Sequence, residues 1–175
     1  MNAVKYSQGV SFLGCIFFLL RGIMSLNIKN ITECLYILDT IVEWHKSEWG
    51  EDWGNIVRQA INQNTIPTVY VVFKNNKPIA TALLIKNDMP EVHDVTPWLA
   101  GVYVIPEYRK RKIATSLVKY VLRRIVKMKI PLLWLYTLNS RKLYERLGWE
   151  FIAEEEYFGK IVSIMRYTNI KLFIK

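Results

Sequence analysis

The sequence is poor in cysteine, which limits the disulfide bonds and metal sites that it could form. Its 175 residues include two cysteines, Cys15 and Cys34, and their spacing is not that of a zinc-ligand pair. A disulfide framework and a cysteine-based metal centre are therefore excluded, and we expect no bound metal. The scarcity of cysteine also favours a reducing compartment, so we expect the protein in the cytoplasm.

The sequence also lacks internal repeats, low-complexity tracts and Gly/Ser-rich linkers. A chain of 175 residues can bury one substantial core but is too short for two comfortable domains. Hydrophobic residues make up 51% of the chain and aromatic residues 13%, which disfavours a disordered protein. We therefore predict a single domain over residues 24–175.

Residues 1–23 form an apolar N-terminal extension whose role the sequence leaves open. Its apolar run, GVSFLGCIFFLL at residues 9–20, is too short to span a bilayer and is not followed by an A-x-A-like cleavage site. Three interpretations remain. The segment is an extra element packed on the domain or a partner, a signal or membrane anchor, or the product of a start codon placed ahead of Met24. An exposed apolar segment would favour association, such as a homodimer.

Acidic residues are nearly missing from one part of the chain. Between Glu107 and Arg146, twelve Lys and Arg residues stand against two Glu residues. This local charge of +10 exceeds the +9 of the whole chain, so the rest is close to neutral. The asymmetry predicts an anion-binding half.

Hydrophobic periodicity predicts a mixed α/β fold with the element order β-α-α-β-β-β-α-β-α-β-β. Asn30 and Glu33 have the spacing of a capping box, and Gly148 is suited to end the last helix. The predicted strands are 25–29, 68–74, 79–86, 98–104, 131–136, 149–157 and 161–167. The predicted helices are 30–46, 51–62, 140–147 and one with an apolar stripe from Ile113 to Met128.

Four consecutive cations, Arg109 to Lys112, lie between a predicted strand and the start of the stripe-bearing helix. The N-terminus of a helix carries unpaired N–H groups and a positive dipole end, and each adjacent cation costs about 0.3–1 kcal/mol there. Such a run is stable if an anion sits among the cations or if the side chains splay into water.

Residues 102–117, VYVIPEYRKRKIATSL, resemble the acetyl-CoA-binding segment of the GNAT superfamily of N-acetyltransferases. The family pattern is (Gln/Arg)-x-x-Gly-x-(Gly/Ala), and Arg109 and Ala114 match its ends. Residues 143–149, LYERLGW, match the second family signature, a helical Tyr followed by Leu-Gly-(Phe/Trp). The resemblance covers about residues 24–168 and implies the GNAT fold, a mixed, mostly antiparallel sheet with flanking helices. Lys112 replaces the central glycine, and we expect it to hold helical φ/ψ in the first turn.

The resemblance implies a site for acetyl-CoA as cosubstrate. The strand at Val102 to Val104 would pair with the pantetheine arm, and the Val104 N–H would stabilise the developing oxyanion. The amides of residues 110–115 would hold the pyrophosphate, with the Thr115 and Ser116 hydroxyls within reach. Tyr144 would protonate the departing thiolate, although a core tyrosine is the alternative. The residues implied for acetyl-CoA are Val102, Tyr103, Val104, Arg109, Lys110, Arg111, Lys112, Ile113, Ala114, Thr115, Asn139 and Tyr144.

The acceptor implied by the resemblance is a primary amine, which must lose a proton before it attacks. Candidate bases are Glu43, His93 and Asp94, of which Asp94 is placed among the catalytic residues. Tryptophans and carboxylates near residues 43–53 suit a cationic amine, although core tryptophans beside a solvated acidic face are the alternative. The candidate acceptor-binding residues are Glu43, Glu48, Trp49, Asp52, His93 and Trp98.

The sequence thus favours an N-acetyltransferase that transfers the acetyl group by direct attack of an amine on the thioester. One alternative is a non-catalytic domain that binds acyl-CoA, suggested by Lys112. Another is a basic nucleic-acid-binding module, but the cation run offers only Tyr108 for base stacking, so no nucleic acid is expected. The amine could be a small molecule, an antibiotic, a peptide terminus or a protein lysine.

Overall fold

A computed structural model of the protein describes residues 26–61, 65–89 and 95–169. The strands are β1 Asn27–Asn30, β2 Thr68–Lys74, β3 Lys77–Ile85, β4 Trp98–Val104, β5 Leu132–Thr137, β6 Glu150–Tyr157 and β7 Lys160–Thr168. The α-helices are α1 Leu38–Trp49, α2 Glu51–Gln59, α3 Ile113–Lys127 and α4 Arg141–Glu145. Short 3-10 turns lie at Ile31–Glu33, Leu35–Ile37 and Pro106–Tyr108.

The seven strands form one sheet in the order β1-β2-β3-β4-β5-β7-β6. All neighbours are antiparallel except β4 and β5, which run parallel. A parallel pair needs a crossover connection, and α3 provides it. The predicted element order and the predicted mixed, mostly antiparallel sheet with flanking helices are both confirmed.

Each face of the sheet has its own hydrophobic core. On one face α3 packs over the central strands, and its stripe residues Ile113, Leu117, Val121 and Ile125 are buried as predicted. On the other face α1 and α2 cover β2, β3 and the start of β4. The alternation of side chains along a strand divides β5 between the two cores, because its odd-numbered leucines face α3 and its aromatic residues face away.

The predicted capping box at Asn30 is present, but it does not open a long helix. The Asn30 side chain accepts from the Thr32 amide at 3.0 Å, and Glu33 accepts from the Asn30 amide at 2.8 Å. The box caps only a 3-10 turn, because Cys34 has a φ of −151° that interrupts the helix. The first α-helix therefore begins at Leu38 and ends at Trp49, later than predicted at both ends.

The segment 1–25, which contains the predicted N-terminal extension, lies outside the described residues. In the described ranges, no helix is both long enough and apolar enough to cross a membrane. The single domain over residues 24–175 remains a prediction.

Candidate active site

Strands β4 and β5 are joined at their start and then separate. Trp98 pairs with Trp134, and no other residue pair joins these two strands in the part of the chain that the structure describes. The cause lies in β4, where Gly101 has a φ of +53° and the register against β3 shifts between Ala100 and Tyr103. An extra residue of this kind bends a strand and increases its twist. The bend leaves the second half of β4 with a free edge toward β5.

The backbone of Val104 faces this opening. Val104 lies opposite Ala80 on β3, and the amide of the next residue, Ile105, donates to the Ile79 carbonyl at 3.1 Å. This is the pattern of a non-hydrogen-bonded antiparallel pair, in which the paired residue directs its own N–H and C=O away from the partner strand. The Val104 N–H and C=O therefore point away from β3, toward the side on which β5 has separated.

A pocket of about 280 Å³ lies where β4 leads into α3. Its walls combine backbone and cationic side chains at the helix start with apolar side chains from β4 and α4. The lining residues are Val104, Tyr108, Arg109, Lys110, Lys112, Ile113, Ala114, Thr115 and Leu143. Unpaired helix N–H groups, the positive end of the helix dipole and lysine side chains together favour an anionic ligand. The pocket also touches the end of β4, so an anion bound here would lie beside the opening between β4 and β5.

Lys112 does not have the helical conformation that we expected from the sequence. It is the N-cap of α3, with a φ of 60° and a ψ of 17°, which is the left-handed region. A non-glycine residue there is strained by about 1 kcal/mol, because its Cβ approaches the following carbonyl. The α-helical hydrogen bonding begins only afterwards, with the Ser116 amide donating to the Lys112 carbonyl at 3.0 Å. The turn therefore has the geometry that the family glycine adopts easily.

The Arg109 side chain connects the pocket to α1 on the other face of the sheet. Its Nε donates to the Val104 carbonyl at 2.9 Å, and its Nη2 lies 3.6 Å from a carboxylate oxygen of Glu48. The guanidinium also lies 5.6 Å from the centre of the Tyr103 ring. A residue implied for acetyl-CoA and one predicted to bind the acceptor are thus in contact.

Tyr144 lies on α4 next to the pocket-lining residue Leu143. Its side chain is 7% exposed, and its ring packs edge-on against Trp149 with the ring centres 5.7 Å apart. Burial raises the pKa of Tyr144 above its usual value, so the hydroxyl keeps its proton at neutral pH. Tyr144 is thus buried beside the pocket wall, and the raised pKa makes it a weaker acid than the free phenol.

The remaining residues implied for acetyl-CoA surround the same region. Val102 and Tyr103 lie on β4, after the bend. Arg111 is exposed and its guanidinium lies 5.3 Å from the centre of the Tyr108 ring. Asn139 is exposed in the connection between β5 and α4.

Aromatic side chains from α1, α2 and β4 form a cluster on the face of the sheet opposite α3. Trp49 lies 5.1 Å from Trp53 and 6.0 Å from Tyr103, and Trp44 lies 5.6 Å from Tyr103, measured between ring centres. Trp49 is 39% exposed, so this cluster has an accessible edge. An exposed aromatic edge next to the opening is suited to contact an acceptor.

The acidic character predicted for this surface is reduced by ion pairs. Lys46 lies 3.6 Å from Glu43 and 2.9 Å from Glu51, while Glu48 faces Arg109. Asp52 is exposed. Most of the carboxylates that we expected to attract a cationic amine are therefore partly neutralised by neighbours.

The structure does not support Trp98 as an acceptor-binding residue. Its side chain is fully buried, and its indole N–H donates to the Val95 carbonyl at 2.6 Å. Trp98 therefore packs in the core beneath the β4–β5 junction. His93 and Asp94 lie outside the described residues, so their predicted roles remain predictions. Among the residues that the structure does describe, no group of three or more His, Cys, Asp or Glu side chains could hold a metal ion.

Two titratable groups near the opening, the fully buried His45 and the half-buried Asp88, were missed by the sequence analysis. His45 is fully buried on α1, and burial lowers its pKa to about 4. Its position three and four residues after Val42 and Ile41, on the inner face of the helix, was the available signal. Asp88 lies just past β3, and burial raises its pKa to about 7. Its backbone carbonyl accepts a 3.3 Å hydrogen bond from the Tyr157 hydroxyl, and the Tyr157 and Tyr136 rings lie 5.4 Å apart.

Comparison with known proteins places this fold and sequence in one family. A profile of the acetyltransferase (GNAT) family matches residues 38–149, whereas no curated protein matches the chain. A solved aminoglycoside 6′-N-acetyltransferase complexed with coenzyme A is 14% identical with a TM-score of 0.66, over 81% of this chain and 96% of the other.

Two further solved structures have the same fold. The ribosomal-protein-S18-alanine N-acetyltransferase from Escherichia coli is 16% identical with a TM-score of 0.63, over 82% of this chain and 93% of the other. NAA60 from Arabidopsis thaliana, in complex with acetyl-CoA, is 13% identical with a TM-score of 0.61, over 83% and 99%. The family match covers well over half of the chain and includes both motifs, α3 and α4. The protein belongs to the GNAT acetyltransferase family.

Proposed function

We propose that the protein is an N-acetyltransferase that transfers the acetyl group of acetyl-CoA to a primary amine by direct attack of the amine on the thioester. The observation that carries this proposal is the convergence of three features. The Val104 backbone faces the β4–β5 opening, the cationic pocket adjoins it, and Tyr144 follows a residue of the pocket wall. Solved relatives in complex with coenzyme A or acetyl-CoA support the choice of cosubstrate.

The residues at the opening have complementary roles in this proposal. Acetyl-CoA supplies an activated thioester. The free edge of β4 at Val102 to Val104 pairs with the extended arm, and the Val104 N–H donates to the oxygen on which negative charge develops. The amides at the start of α3, with Lys110 and Lys112, hold the pyrophosphate. The Thr115 hydroxyl lies in the wall of the same pocket.

Tyr144 donates a proton to the departing thiolate. Because burial raises its pKa, the hydroxyl is protonated across the working pH range and is always available as a donor. The same burial keeps the proton transfer out of bulk water. A hydroxyl in this role contributes roughly 10²-fold to 10⁴-fold to the rate.

The amine must be neutral to attack, and the described carboxylates differ in their suitability as its base. Glu43 is exposed and lies 3.6 Å from Lys46. Asp88 is a further candidate, since its backbone contacts Tyr157, whose ring packs against Tyr136 of β5, and since burial raises its pKa to about 7. Asp94 and His93 remain predicted candidates. The amine itself, a homodimer and a cytoplasmic location also remain proposals.

The non-catalytic alternative rests on Lys112. Its left-handed conformation supports the enzymatic proposal, because the turn keeps the geometry of the family glycine despite the substitution. A domain that had lost catalysis would also have no need of a buried hydroxyl at Tyr144. Acyl-CoA binding without turnover is therefore the weaker second candidate.

The proposal is tested first by calorimetric titration of the protein with acetyl-CoA at two salt concentrations, followed by a screen of amines for release of free thiol. We expect one-to-one binding that weakens with salt, and turnover with at least one class of amine. Folded protein that binds no acetyl-CoA would refute the proposal. Binding without turnover for any amine class would favour the non-catalytic domain.

The acid role is tested with Tyr144→Phe, which removes only the hydroxyl. We expect kcat to fall about 10²-fold or more, while the dissociation constant of acetyl-CoA changes little. Tyr167→Phe is the matched control, because the Tyr167 ring also packs against Trp149, with the ring centres 5.7 Å apart. The control should keep the kcat of the unmodified protein. Full turnover by Tyr144→Phe would exclude Tyr144 as the acid.

A further inference from the structure

A short chain of buried polar groups connects α1 to the bend in β4. The Nε2 atom of His45 lies 2.9 Å from the Thr81 hydroxyl oxygen, and that oxygen lies 3.5 Å from the carbonyl oxygen of Gly101. His45 and Thr81 are both fully buried. Gly101 is the residue whose positive φ produces the bend. The chain therefore joins the helix that carries Glu48 and Trp49 to the point at which β4 turns away from β5.

The arrangement of hydrogens along this chain follows from its last member. A carbonyl oxygen can only accept, so the Thr81 hydroxyl directs its hydrogen toward Gly101. The same hydroxyl oxygen must then accept from His45, which places the proton of the neutral imidazole on Nε2. The other ring nitrogen, Nδ1, is buried and has no hydrogen-bond partner among the described residues. A buried acceptor without a partner is costly, which indicates that the ring is held in place by its packing.

The packing of the ring explains why β4 has a glycine at its bend. A Cβ atom at position 101 would lie 2.6 Å from the His45 Cε1 atom, which is closer than real contacts allow, and 3.1 Å from Nδ1, which is tighter than most real contacts. The imidazole also packs against Trp49 and Trp53, with ring centres 5.0 and 5.8 Å away. The ring thus fills the space against the Gly101 backbone and cannot shift without moving the aromatic cluster.

The His45–Thr81–Gly101 hydrogen bonds reach β4 three residues before Val104, whose N–H is proposed to contact the thioester. Thr81 pairs across the sheet with Tyr103, the residue that precedes Val104. A change in the bend at Gly101 would rotate the following residues and turn the Val104 N–H away from the β4–β5 opening. Hydrogen bonds to a developing charge depend steeply on donor direction, so a small rotation reduces transition-state stabilisation.

We propose that His45, acting through Thr81, is a positioning residue that fixes the bend of β4 at Gly101 and thereby the direction of the Val104 N–H. This inference rests on the proposed acetyl transfer for its effect on rate. Its effect on strand geometry does not depend on the reaction. The two can therefore be measured separately.

The test uses Thr81→Val, which keeps the shape of the side chain but removes the hydroxyl, with Thr81→Ser as the matched variant that keeps it. We expect Thr81→Val to lower kcat about tenfold to a hundredfold, as for a misplacement of about 1 Å, with a dissociation constant for acetyl-CoA within about threefold of the unmodified protein. Thr81→Ser should retain most of the turnover. If Thr81→Val does not fold, His45→Phe, which keeps a ring but removes the donor to the Thr81 hydroxyl, takes its place with the same expected fall in kcat.

A second readout, amide hydrogen exchange of residues 101–104 without any ligand, tests the inference independently of catalysis. We expect faster exchange in Thr81→Val than in Thr81→Ser. Unchanged exchange in this segment would overturn the inference, even if no amine is ever turned over. A folded Thr81→Val that is less stable to heat but keeps its full kcat would also overturn it, because a purely structural role predicts that result. Absence of acetyl-CoA binding by the unmodified protein would instead refute the proposed function alone.

Discussion

Replacing Asp88 with asparagine should make the protein more stable at neutral pH but not at pH 4. Burial raises the pKa of the Asp88 carboxyl from 3.8 to about 7, so the folded state holds a proton that the unfolded chain releases near pH 4. Where the folded state binds more protons, stability falls as pH rises. The loss therefore begins near pH 4 and is complete near pH 7. Asparagine resembles the protonated acid and avoids this loss at every pH.

His45 has the opposite effect over nearly the same range. Its pKa is lowered by burial from 6.5 to about 4, so the unfolded chain binds a proton that the folded protein excludes. Stability is fully present above pH 6.5 and is lost as pH falls toward 4. In the unmodified protein, the Asp88 and His45 contributions nearly cancel between about pH 4.5 and 6. Removing either group exposes the pH dependence of the other.

The size of the effect follows from the pKa difference. A complete difference of one bound proton changes the free energy of unfolding by about 1.4 kcal/mol for each pH unit. The advantage of Asp88→Asn should therefore grow from near zero at pH 4 to an upper limit of about 4 kcal/mol at pH 7, reduced by whatever solvent reaches the carboxyl. His45→Gln should have the opposite sign: relative to the unmodified protein it should lose stability, and this loss should grow as the pH rises from 4 to 6.5.

Urea unfolding at pH 4.5, 5.5, 6.5 and 7.5 measures these differences directly. The comparison between variant and unmodified protein removes the contribution of every other titrating group. Asp52→Asn is the matched control, since Asp52 is exposed and its replacement should change stability by less than about 0.5 kcal/mol at each pH. Parallel curves for Asp88→Asn and the unmodified protein would refute the argument, because they would mean that the Asp88 carboxyl has the same pKa in both states.

Two predictions concern backbone strain. Lys112→Gly should stabilise the protein by about 1 kcal/mol, and loss of the cationic side chain should weaken acetyl-CoA binding. Lys127→Gly within α3 should instead destabilise the protein by about the same amount. A loss of stability at position 112 would contradict the left-handed assignment. Gly101→Ala should cost about 2–3 kcal/mol more than Gly159→Ala, because both have a positive φ but only the first meets His45. Equal losses in urea unfolding would show that the His45 ring moves away freely.

Most of the fold could be predicted because its signals are local. The apolar stripe of α3 recurs every three or four residues, and the Asn75-Asn76 pair supplies two residues that tolerate the positive φ of a tight hairpin turn. The predicted start of the first helix was wrong, because the conformation of that segment depends on tertiary contacts. The capping box at Asn30 is a correct local signal, but nothing local shows that Cys34 will leave the helical region four residues after Asn30.

The residues of the candidate site also fall into those that the sequence predicts and those that it does not. The pocket could be predicted because its residues are contiguous and match a family pattern. The groups that surround it come together only in the folded chain, since Thr81 is 36 residues from His45 and 20 from Gly101, and Tyr157 is 69 residues from Asp88. The loop aspartate Asp88 carries no sequence signal for the burial that raises its pKa, whereas the spacing of His45 from Ile41 and Val42 was a signal for its burial.

The side chains of the four consecutive cations, Arg109 to Lys112, occupy two kinds of position in the structure. Arg109 is held by the Val104 carbonyl and Glu48 and lines the pocket together with Lys110 and Lys112, whereas Arg111 lies over the Tyr108 ring. One of the four side chains, Arg111, therefore extends toward solvent, and the other three lie at the pocket, so both arrangements expected for cations beside a helix N-terminus occur here. The lysines at the pocket are also the two residues of the run with positive φ, at 61° and 60°.

Two of the three cations that line the pocket, Lys110 and Lys112, therefore also carry backbone strain. Such strain persists where the surrounding structure compensates for it, and an anion held by the α3 amides would also relieve the repulsion between the lysines and the helix dipole. Arg109 has a different role, because it joins the β4 carbonyl that faces the opening to the helix beside the aromatic cluster. The cation run is therefore suited both to attract an anionic ligand and to hold the strand on which the proposed chemistry depends.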